Sequence, residues 1–148
     1  MSEHIAEIIW TRQTESFAYK DYDRTHLWRF DNGIEVQAAA APAFLGDPAC
    51  IDPEEAFVAS VSSCHMLTFL AIAARKRLVV DAYQDAAVGH MEKNSEGRLA
   101  ISRIDLSPKI TFANGVSVGA KTLEEMHHLS HQECFIANSV KTDVVVHS

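Results

Sequence analysis

The chain has 148 residues, 47% of them hydrophobic and 22% charged, which is enough for one domain with a real core and too apolar for a disordered chain. Asp and Glu total 20 against 13 Lys and Arg, and the resulting charge of −7, with no basic cluster, excludes the electrostatic footprint of a nucleic-acid binder. The opening MSEHIAEIIW lacks the basic-then-apolar pattern of an export signal, and an odd count of three cysteines fits a reducing cytoplasm better than a disulfide framework.

Taken in chain order, His4 to Thr11 predict a first strand with Ala6, Ile8 and Trp10 on one face. His26, Trp28 and Phe30 alternate with Leu27, Arg29 and Asp31, and Ile34, Val36 and Ala38 with Glu35 and Gln37. Asn32-Gly33 between them is a tight-turn signal, because it supplies two positive-φ positions. A loop over Pro42 to Ile51 leads to the clearest helix. Asp52 is its N-cap, Pro53 suits the first helical position, and Glu54 and Glu55 complement the dipole. Arg75, Lys76 and Arg77 sit at the opposite end, about 24 residues or roughly 36 Å away. The helix is apolar on almost every face, which predicts burial on several sides. Its most apolar stretch, Phe57 to Ala74, is interrupted by Ser60, Ser62, Ser63, Cys64, His65 and Thr68, and so reads against a membrane span.

Val79 to Lys93 and Leu99 to Phe112 then predict two long strands joined by Asn94-Ser95-Glu96-Gly97. Val116 to about Gln132 predicts a second helix with Cys134 just past its end, and Thr142, Val144 and Val146 mark a last strand. Strands in runs, with helices to cover them, indicate an α+β class in a single domain over 1–148.

Cys64 sits mid-way along the long helix. A lone cysteine there is ordinarily a small buried hydrophobe. Its neighbours Ser60, Ser62, Ser63 and His65, however, are small or polar in a helix otherwise built of large apolar residues. Asp52-Pro53-Glu54-Glu55, with Cys64 ten residues after Glu54, resembles the central-helix motif of the OsmC/Ohr family of thiol peroxidases. His131-Gln132-Glu133-Cys134, then Ile136 and Asn138, resembles that family's second-cysteine motif, although Phe135 stands where many relatives have proline.

The resemblance implies a fold of antiparallel sheets packed on a long central helix, in an intertwined homodimer. It also implies reduction of organic hydroperoxides by a peroxidatic cysteine (Cys64), a resolving cysteine (Cys134), an arginine and a glutamate (Glu54). One branch of the family carries the arginine ten residues before the glutamate, where this chain has Phe44; the other carries it before the second strand, where Arg24 lies eight residues ahead of Asn32. Strand parity places Arg24 with Trp28 and Phe30, opposite Arg29.

The chemistry is coherent. A thiol of pKa near 8.5 is only a few per cent thiolate at neutral pH, and burial makes that worse. A guanidinium beside it reverses the effect, and a glutamate can hold the guanidinium fork. Phe57, Met66, Leu67 and Phe69 would line the site with apolar surface for bulky substrates.

Glu54 and Cys64, ten residues apart, lie roughly 15 Å apart along an unbroken helix. Two helices packed antiparallel about Ala59 would bring residue 54 of one chain level with residue 64 of the other, so the two sites of a homodimer would be shared. The partners implied are an organic hydroperoxide, a dithiol reductant of the dihydrolipoamide type and a second copy of the chain, with no cofactor, no nucleic acid and no membrane.

Two other readings use the same residues. One is a non-enzymatic small-ligand binder of the same fold. The other is a metal-binding protein using His127, His128 and His131 with Cys134, since His127 and His131 share a helix face. Cys50, in the loop before the helix, is read as incidental.

Overall fold

The computed structural model describes all 148 residues as two compact units, 1–56 and 57–148. In the first unit β1 (Ala6–Ile9), β2 (His26–Phe30) and β3 (Glu35–Ala38) form an antiparallel sheet in chain order. Its hairpin closes where the Asn-Gly pair predicts, with the Ile34 N–H donating to Asn32 Oδ1 at 3.1 Å, but of the two positive-φ positions expected only Gly33, at φ 83°, has one. Arg29 lies on one face, cross-strand from Glu7 and Glu35, and pairs with both. The other face is only partly covered. Trp28, Phe30 and Val36 are half-buried while Ile8 and Trp10 are 60% and 41% exposed, and Ala38, Ala39 and Asp52 are the unit's only buried residues.

α1 (Pro53–Arg75) begins in the first unit and continues into the second. Asp52 Oδ1 accepts from the Glu55 N–H at 2.8 Å, and Glu55 Oε1 accepts from the Asp52 N–H at 3.3 Å, a reciprocal capping box. By length and mean hydropathy (1.7) alone α1 could cross a bilayer. In this fold it carries residues of both hydrophobic cores.

The rest of the second unit is β4 (Val80–Asp85), β5 (Val88–Lys93), β6 (Leu99–Leu106), β7 (Pro108–Phe112), α2 (Ala120–Glu133) and β8 (Asp143–Val146). The α+β class holds, with two corrections. Each of the two long predicted strands is broken, so that β4 pairs with β7 in one sheet and β5 with β6 in another. At the break Asp85 Oδ1 accepts from the Ser107 N–H at 2.7 Å, and Pro108 has no N–H to continue a ladder. The second correction is that β8, returning after α2, joins β6 in parallel, so the sheets are not all antiparallel. α2 also starts four residues later than predicted: Gly119 takes the N-cap, and Val118 turns into the core instead.

Two cores result. Phe69, Ile72, Ala73 and Met126 pack with Tyr83, Ile110 and Phe112. Val61, Ile104 and Leu106 pack with Val58, Val144 and Val146. β5 crosses α1 so closely at Gly89 that a Cβ there would lie 2.5 Å from Val58 Cγ2.

Candidate functional site

The polar residues around Cys64 are anchored one by one. Ser60 Oγ donates to the Phe57 carbonyl at 2.7 Å, Ser62 Oγ donates to Asp85, and Thr68 Oγ1 donates to the Cys64 carbonyl at 2.9 Å. Asp85 therefore takes Ser62 from α1 and Ser107 from the sheet, and fixes this turn of the helix against β4.

Cys64 is half-buried on α1 and Cys134 caps the C-terminus of α2, 1% exposed. Both are free thiols, and they lie close enough for Cys64 to act on the titration of Cys134, although 70 residues of sequence separate them. The Ala137 N–H donates to Cys134 Sγ at 3.4 Å, and the Asn138 N–H donates to the Cys134 carbonyl at 3.0 Å, so the turn after α2 aims this sulfur. Burial first, and then the adjoining Cys64 thiol, push Cys134 above its ordinary value. Burial thus favours the protonated form of this thiol.

Beside Cys64 lies a cleft of about 520 Å³ whose apolar lining is Leu67, Ala71, Ile72, Leu129 and Phe135, with Thr68, Arg75 and Glu133 as its polar and charged lining. Of the four apolar residues expected there only Leu67 takes part. Phe57 and Phe69 pack in the two cores, and Met66 does not line the cleft. Cys50 sits half-buried in its loop, its N–H donating to the Asp47 carbonyl at 3.1 Å.

The histidines divide differently from the sequence reading. His65, taken as polar company for Cys64, is 1% exposed, and its Nε2 shares a 3.0 Å hydrogen bond with Nδ1 of His127. The rings stack at 5.3 Å, and Phe69 stacks on the far side of His127 at 4.6 Å. His127 thus faces the core. No three His, Cys, Asp or Glu side chains are grouped to hold a metal ion, so the His127/His128/His131 set does not converge with Cys134.

Burial, with His127 and His131 adding to it and Asp85 opposing, draws His65 down to about 4. Burial lowers His127 as well. Below pH 6.5 the unfolded chain binds a proton that folded His65 refuses until about 4, so stability is complete above that window and falls as pH falls through it. The loss is about 3 kcal/mol by pH 4. Urea midpoints measured from pH 7 to 4 should fall accordingly, and His65→Gln should flatten the descent. Midpoints equally steep in both proteins would remove His65 as the cause.

Arg24 and Glu54, both in the first unit, do not form an ion pair within one chain. Arg24 is half-buried between Tyr19 and Tyr22. Glu55 is consumed by the capping box, whereas Oε2 of Glu54 is buried with no hydrogen-bond partner in the protein. Burial, then the nearby Asp52 and Glu55 carboxylates, raise Glu54 above the ordinary range. A raised carboxyl of this kind gains by meeting a cation.

Residues 46–148 match the model of a family described as OsmC-like protein. Among solved structures the chain is similar to an OsmC-like protein of unknown function from Vibrio cholerae, with 47% identity, 99% of each chain covered and a TM-score of 0.95. It also shares its fold with an organic hydroperoxide resistance protein OsmC from Legionella pneumophila, at 15% identity over 99% of this chain and 96% of that one, TM-score 0.73. A third similar structure is the organic hydroperoxide resistance protein OhrB of Bacillus subtilis, at 16% identity over 96% of each chain, TM-score 0.67. No curated protein matches.

Proposed function

Because the chain belongs to the OsmC-like family, we propose that it is a cytoplasmic thiol-dependent peroxidase that reduces organic hydroperoxides to alcohols. The observation that carries this reading is the pair of free, neighbouring thiols, one on α1 and one at the C-terminal cap of α2. In the proposed cycle the Cys64 thiolate attacks the terminal peroxide oxygen. An S–O bond forms as the O–O bond breaks, and the departing alkoxide takes a proton to become the alcohol. Cys64 is left as a sulfenic acid. The Cys134 sulfur then attacks that of Cys64. The S–S bond forms as the S–O bond breaks, and the proton given up by the Cys134 thiol leaves with the hydroxide as water. A dithiol reductant then reduces the disulfide and is itself oxidised.

Arg24 is assigned to hold Cys64 as thiolate by its fixed positive charge. Glu54 is assigned as the carboxylate that meets Arg24 when two chains assemble into a homodimer. The unpartnered Oε2 of Glu54 and the absence of any acid on Arg24 support both assignments. The apolar part of the cleft beside Cys64, formed by Leu67, Ala71, Ile72, Leu129 and Phe135, supports an organic substrate over hydrogen peroxide.

Peptide mapping after one equivalent of hydroperoxide tests the cycle. A 64–134 linkage within a single chain is expected, which requires the two Cα atoms to approach to about 4.4–6.8 Å. A dominant 50–64 linkage would transfer the resolving role to Cys50 and refute the assignment of Cys134.

A further inference from the structure

Arginines in this chain are held in two different ways. Arg29 pairs with Glu7 and Glu35, and Arg103 pairs with Asp105. Arg24 touches no carboxylate. Its Nη1 donates to the Tyr22 carbonyl at 2.7 Å and its Nη2 donates to the Tyr19 carbonyl. Its Cζ lies 3.9 Å from the centroid of the Tyr22 ring and 4.8 Å from that of Tyr19.

The two acids nearest in sequence are engaged elsewhere: Asp21 accepts from Ser16 Oγ at 2.7 Å, and Asp23 accepts from the Thr25 N–H at 2.8 Å. The rings are braced in turn. Phe17 packs on Tyr22 at 5.0 Å and Trp10 meets it edge-on at 6.3 Å, while Trp10 Nε1 donates to the Asp23 carbonyl at 2.8 Å.

We propose that Tyr19 and Tyr22 are positioning residues that clamp the Arg24 guanidinium between ring faces and main-chain carbonyls, so that it is already oriented when it meets Glu54 and the Cys64 thiolate. The inference rests on the role given to Arg24 above. Carbonyls and ring faces orient a guanidinium without using up its whole donor fork, so that it can still meet both a carboxylate and a thiolate. Two of its five N–H donors are spent on the carbonyls, and three stay free for an anion or for Glu54. Fixing a long side chain in advance also removes the ordering cost from the moment of reaction.

The test follows the alkylation rate of Cys64 by iodoacetamide against pH in chains where Cys50 and Cys134 are serine, alongside kcat/KM for cumene hydroperoxide in chains with all three cysteines. Tyr22→Leu is expected to move the thiol midpoint up by about one pH unit and to lower kcat/KM about tenfold. Tyr22→Phe, which keeps the ring and the carbonyl, should restore the wild-type profile. Tyr19→Leu, at an exposed ring farther from Cζ, should give a smaller shift in the same direction, and it serves as the readout if Tyr22→Leu does not fold. Arg24→Met sets the full shift. If either folded leucine variant keeps the wild-type midpoint while Arg24→Met moves it, the clamp is refuted and the role of Arg24 stands. An unmoved midpoint in Arg24→Met refutes both.

Discussion

Replacing Cys64 with serine is expected to lower hydroperoxide turnover by on the order of a thousandfold or more. Serine is nearly the shape of cysteine, and the turn around it is held by Ser60, Ser62 and Thr68 through bonds that do not involve the sulfur. The variant should therefore fold and lose only the nucleophile, since a serine hydroxyl at neutral pH neither ionises nor attacks an O–O bond at a useful rate. Cys50→Ser is the control. That residue sits in a loop, and its backbone contact with Asp47 does not use the thiol, so activity should be close to wild type. With the wild type, each methylene of substrate buried in the Cys64 cleft adds about 0.8 kcal/mol, or about fourfold, so kcat/KM should climb from hydrogen peroxide to alkyl and aryl hydroperoxides. Retained activity in Cys64→Ser, measured by hydroperoxide loss in the presence of a small dithiol, would remove the peroxidatic role from this residue.

Two inactive variants are expected to restore each other. α1 is unbroken from Pro53 to Arg75, so Glu54 and Cys64 stand roughly 15 Å apart along one rod and cannot serve a common sulfur from the same chain. If the sites are completed across a two-fold axis, a dimer of one Glu54→Gln chain and one Cys64→Ser chain holds one intact site and one doubly damaged site. Random co-folding of equal amounts makes half the dimers mixed, so activity should return to about a quarter of wild type from near zero. Tagged chains purified in sequence over two affinity resins give the mixed dimer alone, for which about half is expected. An inert mixed dimer, or a fully active monomer by sedimentation, would overturn the shared site.

Much of this was readable from residues alone because it depends on local chemistry. The capping box at Asp52 and Glu55, the Asn32-Gly33 turn and the α+β order all follow from which side chains stand next to which. The features that escaped depend on distant partners. The breaks in the two long strands come from Asp85 reaching Ser107, 22 residues on, and from sheets that exchange partners there. Only Pro108 hinted at them.

His65 was legible and passed over: it falls four residues after Val61 and four before Phe69, on the same buried stripe, so a period of 3.6 already turned it inward. The face of the first sheet shows the opposite limit. Alternation told which of Ile8, Trp10 and Trp28 share a side, but nothing in a period of two says what covers them.

That thinly covered unit has a consequence for how the protein behaves in a cell. A unit of 56 residues that buries two alanines and one aspartate, and leaves Ile5, Ile8, Phe17 and Tyr19 more than half exposed, has too little core to hold its three short strands together in water. If a second copy supplies the missing cover, a newly made chain waits as a half-formed molecule open to proteases along its first 56 residues. Assembly then follows the square of chain concentration, so at low abundance a doubling of synthesis yields up to about four times as much finished protein. A modest change in expression would become a steep change in protective capacity, without any further regulator.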